Sequence, residues 1–125
     1  MNTAFTARCI AGDARGKQLG TPTYNLDLSM IPDAVEEGVY AARIQKGASG
    51  QWQDAVIHYG PRPVFAAGRS FEVHVLDQAD DQEAATITVQ LYKRIRDIQE
   101  FASPEALQEQ ITADIAQCRA ILAEA

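Results

Sequence analysis

The chain of 125 residues is long enough for one domain with its own core, and its 46% hydrophobic and 22% charged residues are typical of globular proteins. Its formal net charge of −6 at pH 7 argues against a protein that binds nucleic acid or an anionic membrane surface, because such binding draws on clustered cationic side chains. We find no secretory signal and no run of about 18 consecutive apolar residues, so we expect a cytoplasmic protein. We also expect a monomer with a single domain, residues 1–125.

Six short segments with apolar or alternating side chains predict β-strands. They span residues 5–11, 24–28, 39–46, 52–59, 70–77 and 85–96. Residues 47–50 and 78–82 have the composition of turns and separate two pairs of these segments. Because no helical pattern lies between the segments, the sequence predicts a mainly β fold, a closed or nearly closed barrel of six antiparallel strands.

The residues after the last strand segment change to a helical period. Apolar side chains recur on one face at Leu107, Ile111, Ile115, Cys118 and Leu122. Ser103 is a favourable N-cap, Pro104 suits the first helical position, and Glu105 places negative charge at the positive end of the helix dipole. The pattern predicts one C-terminal helix that packs on the barrel, with its Glu, Gln and Asp side chains exposed to solvent.

The two cysteines, Cys9 and Cys118, are far apart in sequence and have no CxxC spacing or histidine companion. Cys9 falls in the first strand segment, and Cys118 lies on the apolar face of the predicted helix. We therefore expect two buried free thiols rather than a disulfide or metal ligands.

The segment 12–25 has the composition of a phosphate-binding loop. Its glycines recur at a spacing of four, as Gly12, Gly16 and Gly20. Glycine admits positive φ and lets backbone N–H groups approach an anion, and Lys17 adds a positive charge. Thr23 and Asn25, two apart on an extended segment, offer hard oxygens to Mg²⁺ on one side. An ordinary turn is the alternative, and the spacing is neither a P-loop nor a Rossmann motif, but the combination favours a nucleotide and metal site.

The strand segment around Glu72 carries the second candidate. Alternation places Phe71, Val73 and Val75 on one face and Glu72, His74 and Leu76 on the other. A carboxylate on a barrel strand can accept a hydroxyl proton during phosphoryl transfer. A solvent-exposed Glu is the simpler interpretation of this segment alone, and we expect His74 to orient or pack rather than to catalyse.

The third candidate is the corner at 59–65, where two prolines surround Arg62 and stiffen the chain. The corner is either a simple barrel turn or one wall of a pocket. In the second case Tyr59 and Phe65 would face a flat apolar ligand.

Taken in order, these blocks resemble the riboflavin kinase family over about residues 11–122. The matching motifs are Gly-x-Pro-Thr-x-Asn at the end of 12–25, Gly-Val-Tyr at 38–40, the Gly-x-x-Pro corner within 59–65 and Glu-Val-His-x-Leu-Asp at 72–77. The closing pattern of the family is matched by Ile95-Arg96, Phe101, Ser103, Glu105-Ala106-Leu107, Ile111 and Asp114.

The resemblance implies a six-stranded Greek-key barrel with a C-terminal helix, and a reaction in which ATP phosphorylates riboflavin to give FMN and ADP. It implies Glu72 as the general base and Thr23 and Asn25 as the ligands of Mg²⁺. The flavin ring would lie between the corner and the segment after the last strand. The nucleotide- and flavin-binding residues implied are Gly12, Gly16, Lys17, Gly20, Pro22, Thr23, Tyr59, Arg62, Phe65, Arg96 and Phe101.

Three positions depart from the family pattern: His58, Val64 and Ile98 stand where Asn, Thr and an acidic residue are common. Two alternatives therefore stay open, a catalytically degenerate flavin- or nucleotide-binding module and a kinase for another small molecule. The sequence has no counterpart of the adenylyltransferase domain that accompanies this module in many bacteria, so we do not expect FAD synthesis.

Overall fold

The computed structural model of the chain describes residues 3–10, 23–47, 50–61, 68–76, 84–99 and 101–125. Its elements are the strands β1 (Thr3–Ile10), β2 (Thr23–Leu26), β3 (Gly38–Lys46), β4 (Trp52–Pro61), β5 (Arg69–Val75) and β6 (Thr86–Arg96), and the helix α1 (Pro104–Ala123). The strands close into a barrel in the order β1-β2-β5-β4-β3-β6, and their pairings are antiparallel. The run β6-β3-β4-β5 has the 4-1-2-3 order of a Greek key. The predicted fold class is confirmed.

Strand β2 is shorter than the sequence pattern indicates, because a 3₁₀ turn (Leu28–Met30) follows it. The Asp27 carboxylate begins this turn by accepting hydrogen bonds from the Ser29 N–H at 3.0 Å and the Ser29 hydroxyl at 2.7 Å. Arg8 also donates to it, at 2.8 Å. These hydrogen bonds lower the pKa of Asp27 to about 2, and the bond from the Ser29 side chain has the largest effect. The alternating pattern did not predict this turn.

The inner face of the barrel is filled by apolar side chains at alternate strand positions. The face of β5 that carries Phe71, Val73 and Val75 is fully inaccessible to solvent. The Tyr40 ring lies in the same core, and its hydroxyl donates to the Glu36 carbonyl at 2.5 Å. A buried hydroxyl therefore has a partner, as the interior requires.

The outer face of β3 and β4 is covered by α1 and forms a second apolar cluster. Its buried members are Val39, Ala41, Val56, Leu76, Cys118 and Leu122. Both faces of these two strands are therefore buried, which explains why their segments are nearly continuous apolar runs. Cys118 is a buried thiol as predicted: it donates to the Ala55 carbonyl at 3.4 Å, and burial raises its pKa to about 11. Cys9 is also free, but it is only partly buried.

The start of α1 follows the prediction. The Ser103 hydroxyl accepts a hydrogen bond from the Ala106 N–H at 3.2 Å, and Pro104 takes the first turn. Among the residues that the structure describes, no helix is long and apolar enough to cross a bilayer.

The prediction that every Asp of α1 is exposed is wrong for Asp114, which is 2% exposed. Arg96 of β6 donates to both of its carboxylate oxygens, Nε to Oδ1 at 3.0 Å and Nη2 to Oδ2 at 2.8 Å. Gln110 adds a third bond, to Oδ1, at 3.0 Å. The Arg96 guanidinium supplies the opposite charge and the hydrogen bonds that allow the Asp114 carboxylate to be buried between the helix and the barrel.

We predict that Asp114→Ala lowers the free energy of unfolding by about 3–5 kcal/mol, because it leaves the mostly buried Arg96 guanidinium without its carboxylate. The matched control is Asp97→Ala, since the Arg94–Asp97 contact is also 2.8 Å but Asp97 is 83% exposed. There we expect a loss below about 1 kcal/mol. Urea unfolding measures the loss of unfolding free energy in both variants. Equal losses would contradict the claim that burial makes the Arg96–Asp114 pair more important for stability than the exposed Arg94–Asp97 pair.

Candidate functional site

The site is built on the outer face of the barrel by three adjacent strands, β2, β5 and β4. Their register places Asn25, Glu72 and His58 in one row, because Asn25 pairs with Glu72 and Glu72 pairs with His58. Thr23 and His74 pair in the next row on this face. Side chains at alternate positions share a face, so the five polar residues converge as the sequence pattern indicates for Glu72 and His74.

Glu72 lies within a run of polar contacts rather than in open solvent. The Ser70 hydroxyl donates to its Oε2 at 2.9 Å, and its Oε1 lies 3.6 Å from Nε2 of His74. The other ring nitrogen of His74, Nδ1, is 3.1 Å from the Thr23 hydroxyl oxygen. The side chain of Glu72 is 21% exposed, so the simpler interpretation of a freely solvated Glu is not what the structure shows.

His58 is buried and the side chain of His74 is only 12% exposed, and this burial keeps both rings neutral near pH 7. Burial lowers the pKa of His58 to about 4, an effect that the Glu72 carboxylate opposes. The pKa of His74 is also lowered by burial, again against the influence of Glu72. Each neutral ring has one N–H donor and one acceptor nitrogen for its neighbours.

The candidate metal ligands have the chemistry that Mg²⁺ requires. Asn25 is 8% exposed, and its Oδ1 has no hydrogen-bond partner among the described residues. A buried amide oxygen without a partner is unfavourable, and a cation would satisfy it. No group of three or more His, Cys, Asp or Glu side chains within the described ranges could hold a metal ion. Amide and hydroxyl oxygens are ligands that Mg²⁺ accepts beside nucleotide phosphates, and the unpartnered Oδ1 of Asn25 is the observation that fits such a cation.

Arg96 and Phe101, predicted to lie near a flavin, contact one another. The guanidinium carbon of Arg96 is 5.8 Å from the centre of the Phe101 ring, a cation–π arrangement. The remaining guanidinium nitrogen, Nη1, donates to the Asp97 carbonyl at 3.0 Å. With Asp114 also bound, all three guanidinium nitrogens of Arg96 donate hydrogen bonds within the protein.

The end of β4 lies next to the segment that follows β6. Gly60 has a φ of +145°, and a Cβ at this position would lie 3.0 Å from Cγ1 of Ile98. The Tyr59 ring packs on Phe71, with the ring centres 5.2 Å apart. The described part of the corner, up to Pro61, and the segment after β6 are therefore neighbours, and glycine at position 60 permits their close approach.

Several predicted site residues lie outside the described residues. They are Gly12, Gly16, Lys17, Gly20 and Pro22 of the glycine segment, and Arg62, Val64 and Phe65 of the corner. The remaining candidates fall into two groups: Thr23, Asn25 and Glu72 on the outer face, and Tyr59, Arg96 and Phe101 towards the corner.

Sequence reasoning missed two neighbours of Glu72, Ser70 and His58. Ser70 had a signal, because it stands two residues before Glu72 on an alternating strand and must share its face. His58 was recognised only as a departure from a family pattern. Its place opposite Glu72 depends on the register between β4 and β5, which no local pattern specifies.

These features define the chain as a small Greek-key β-barrel protein with a carboxylate, two neutral histidines and candidate magnesium ligands on its outer face. The family model described as riboflavin kinase matches residues 1–122, and the chain belongs to this flavokinase family.

The relatives agree with this assignment. The bifunctional riboflavin kinase/FMN adenylyltransferase of Pseudomonas fluorescens is 38% identical over 121 residues, which cover 95% of this chain and 38% of the relative. The crystal structure of riboflavin kinase from Trypanosoma brucei aligns with a TM-score of 0.60 at 19% identity, covers 95% of this chain and 78% of that one, and shows the fold alone. A crystal structure described as a macrolide-efflux protein from Streptococcus pneumoniae aligns with a TM-score of 0.77 at 29% identity, covering 94% of this chain and 38% of that one.

We predict that His58 makes the protein less stable in acid. Its folded pKa of about 4 lies below the ordinary 6.5, so between these values the unfolded chain binds a proton that the folded protein does not. Stability is therefore lost as pH falls through this window. Between pH 7 and 4.5 the wild type should lose about 2 kcal/mol more than His58→Gln.

Urea unfolding at the two pH values measures this difference. Parallel stability curves for the wild type and His58→Gln would contradict the prediction.

Proposed function

We propose that the chain catalyses the ATP-dependent phosphorylation of the ribityl 5′-hydroxyl of riboflavin, giving FMN and ADP. The observation that carries this proposal is the placement of Glu72 beside Asn25 and one row from Thr23, in a chain of the riboflavin kinase family. A proton acceptor next to hard-oxygen ligands is the arrangement that phosphoryl transfer needs.

In the proposed reaction Glu72 accepts the proton of the 5′-hydroxyl as that oxygen attacks the γ-phosphorus of ATP. The new bond joins the ribityl oxygen to phosphorus, the bond to the β–γ bridging oxygen breaks, and ADP leaves with the electron pair. The Ser70 hydroxyl, 2.9 Å from Oε2, restrains the carboxylate and reduces its rotational freedom. Most of the catalysis is thus positioning and charge neutralisation.

Thr23 and Asn25 would hold Mg²⁺, which when bound neutralises charge on the phosphates of the nucleotide. Asn25 supplies the buried oxygen without a partner, and Thr23 lies on the same face two residues earlier. We propose the glycine segment of 12–25, with Lys17 and Pro22, as the cover of the phosphates. For the flavin we propose a place bounded by Tyr59, Arg62, Phe65, Arg96 and Phe101.

A catalytically degenerate binding module is the second candidate. It is favoured by Ile98, which fills the space over Gly60 with an apolar side chain where the family commonly has an acidic one. Incubation with riboflavin, ATP and Mg²⁺ separates the two candidates, because only the kinase forms FMN, detected by chromatography. A kinase for another small molecule would consume ATP only with a different acceptor.

We further propose a monomeric, cytoplasmic protein without nucleic-acid or membrane partners. The supporting observation is the formal net charge of −6. Light scattering during size-exclusion chromatography tests the oligomeric state.

We predict that Glu72→Gln folds and binds ATP but loses about a hundredfold or more in kcat, because Gln keeps the shape and removes the proton acceptor. Glu109→Gln, the same exchange at an exposed position of α1, should leave kcat unchanged. Steady-state FMN formation measures both. A wild-type rate in Glu72→Gln would exclude this residue as the base.

We predict that Thr23→Ala combined with Asn25→Ala abolishes the Mg²⁺ dependence of ADP binding, because two hard oxygens are removed from a cation that tolerates few substitutes. Thr6→Ala, an exposed threonine on β1, is the control and should bind Mg·ADP like the wild type. Calorimetry with and without Mg²⁺ provides the measurement. Wild-type Mg·ADP affinity in the double variant would rule out these ligands.

A further inference from the structure

We propose that His74 is a positioning residue that orients the Glu72 carboxylate and the Thr23 hydroxyl together, one with each nitrogen of its ring. This proposal rests on the proposed kinase function of the site, because it assigns the base to Glu72 and a metal ligand to Thr23.

The geometry places the ring between the two groups. His74 pairs directly with Thr23 across the β2–β5 ladder, and Glu72 shares its face two residues earlier on β5. The Nδ1 atom is 3.1 Å from the Thr23 hydroxyl oxygen, and Nε2 is 3.6 Å from Oε1 of Glu72. The side chain of His74 is only 12% exposed, so packing restricts its rotation.

The chemistry of the neighbours sets the tautomer. A carboxylate offers only acceptors, so the ring proton is favoured at Nε2, on the side of Glu72. At 3.6 Å this N–H attracts Oε1 without a direct hydrogen bond, and a small rotation of the carboxylate would close one. The lone pair at Nδ1 is then free to accept the hydroxyl proton of Thr23.

The consequence for the metal ligand follows from the direction of that bond. With its proton directed to His74, the Thr23 hydroxyl has its oxygen lone pairs on the side away from the ring, the side from which a cation would be bound. One imidazole thus links the proton acceptor to the metal ligand.

Two amide variants separate the two functions of the ring. In His74→Asn the amide takes the place of Nδ1 and can still accept from Thr23, whereas in His74→Gln the amide reaches the place of Nε2 near Glu72. We expect His74→Asn to retain Mg·ADP affinity within about threefold and to lose about tenfold or more in kcat at saturating Mg²⁺. For His74→Gln we expect the opposite result: the Mg·ADP affinity falls about tenfold, and kcat falls less than in His74→Asn.

Calorimetry with ADP and Mg²⁺ and steady-state FMN formation are measured on His74→Asn, His74→Gln and His74→Ala. Lys93→Gln, an exposed amide substitution on β6, controls for general effects on the barrel, and urea unfolding confirms that each variant is folded. If the Asn, Gln and Ala variants lost Mg·ADP affinity and kcat equally, the proposal would be overturned. A ring with only a structural role would not have one function restored by Asn and the other by Gln.

The same experiment distinguishes failure of the inference from failure of the proposed function. If the wild type forms FMN but the Asn and Gln variants do not split the two readouts, the kinase assignment stands and the role of His74 is wrong. If the wild type forms no FMN, the kinase assignment fails, and with it the orientation of Glu72 as a base. Selective loss of Mg·ADP binding in His74→Gln would then still support the orientation of Thr23, and its absence would overturn that as well.

Discussion

The register of β5 between β2 and β4 is the constraint on which the site depends. Side chains alternate across a strand, so a slip of one residue would turn Glu72 and His74 into the core and Val73 out to the polar face. The fully buried Phe71, Val73 and Val75 oppose such a slip, because exposing them would forfeit the largest contribution to folding. The apolar core therefore holds the polar row in place.

The helix α1 decides how polar the surroundings of that row are. It covers the outer face of β3 and β4, and its Asp114 binds Arg96 at the end of β6. His58 pairs with Val39 and His74 pairs with Val56, two members of the cluster under the helix, and burial lowers the pKa of both rings. A neutral imidazole can accept as well as donate, and a solvated, protonated ring could only donate. Helix packing thus reaches the chemistry of the site through burial.

Membership of the riboflavin kinase family and the geometry of the outer face support one function from independent directions. The family match extends over residues 1–122, but the chain spans only 38% of the length of its relative from Pseudomonas fluorescens. The kinase activity therefore remains a proposal, carried by the chain's own residues. His58 distinguishes this site from the family pattern, because it places a buried imidazole opposite Glu72 in the strand pair, where an Asn is common in the family.

The sequence by itself determined the class of fold, because period two over six segments and a helical period at the end leave few architectures. It also placed Glu72 and His74 on one face, and Ser103 at the helix start, since each depends on near neighbours in the chain. Only the tertiary structure decided which strands are adjacent, and hence that Asn25 and His58 flank Glu72. The sequence did not predict the burial of Asp114 for the same reason. Its partner, Arg96, is 18 positions away and is brought close by packing of the helix on the barrel.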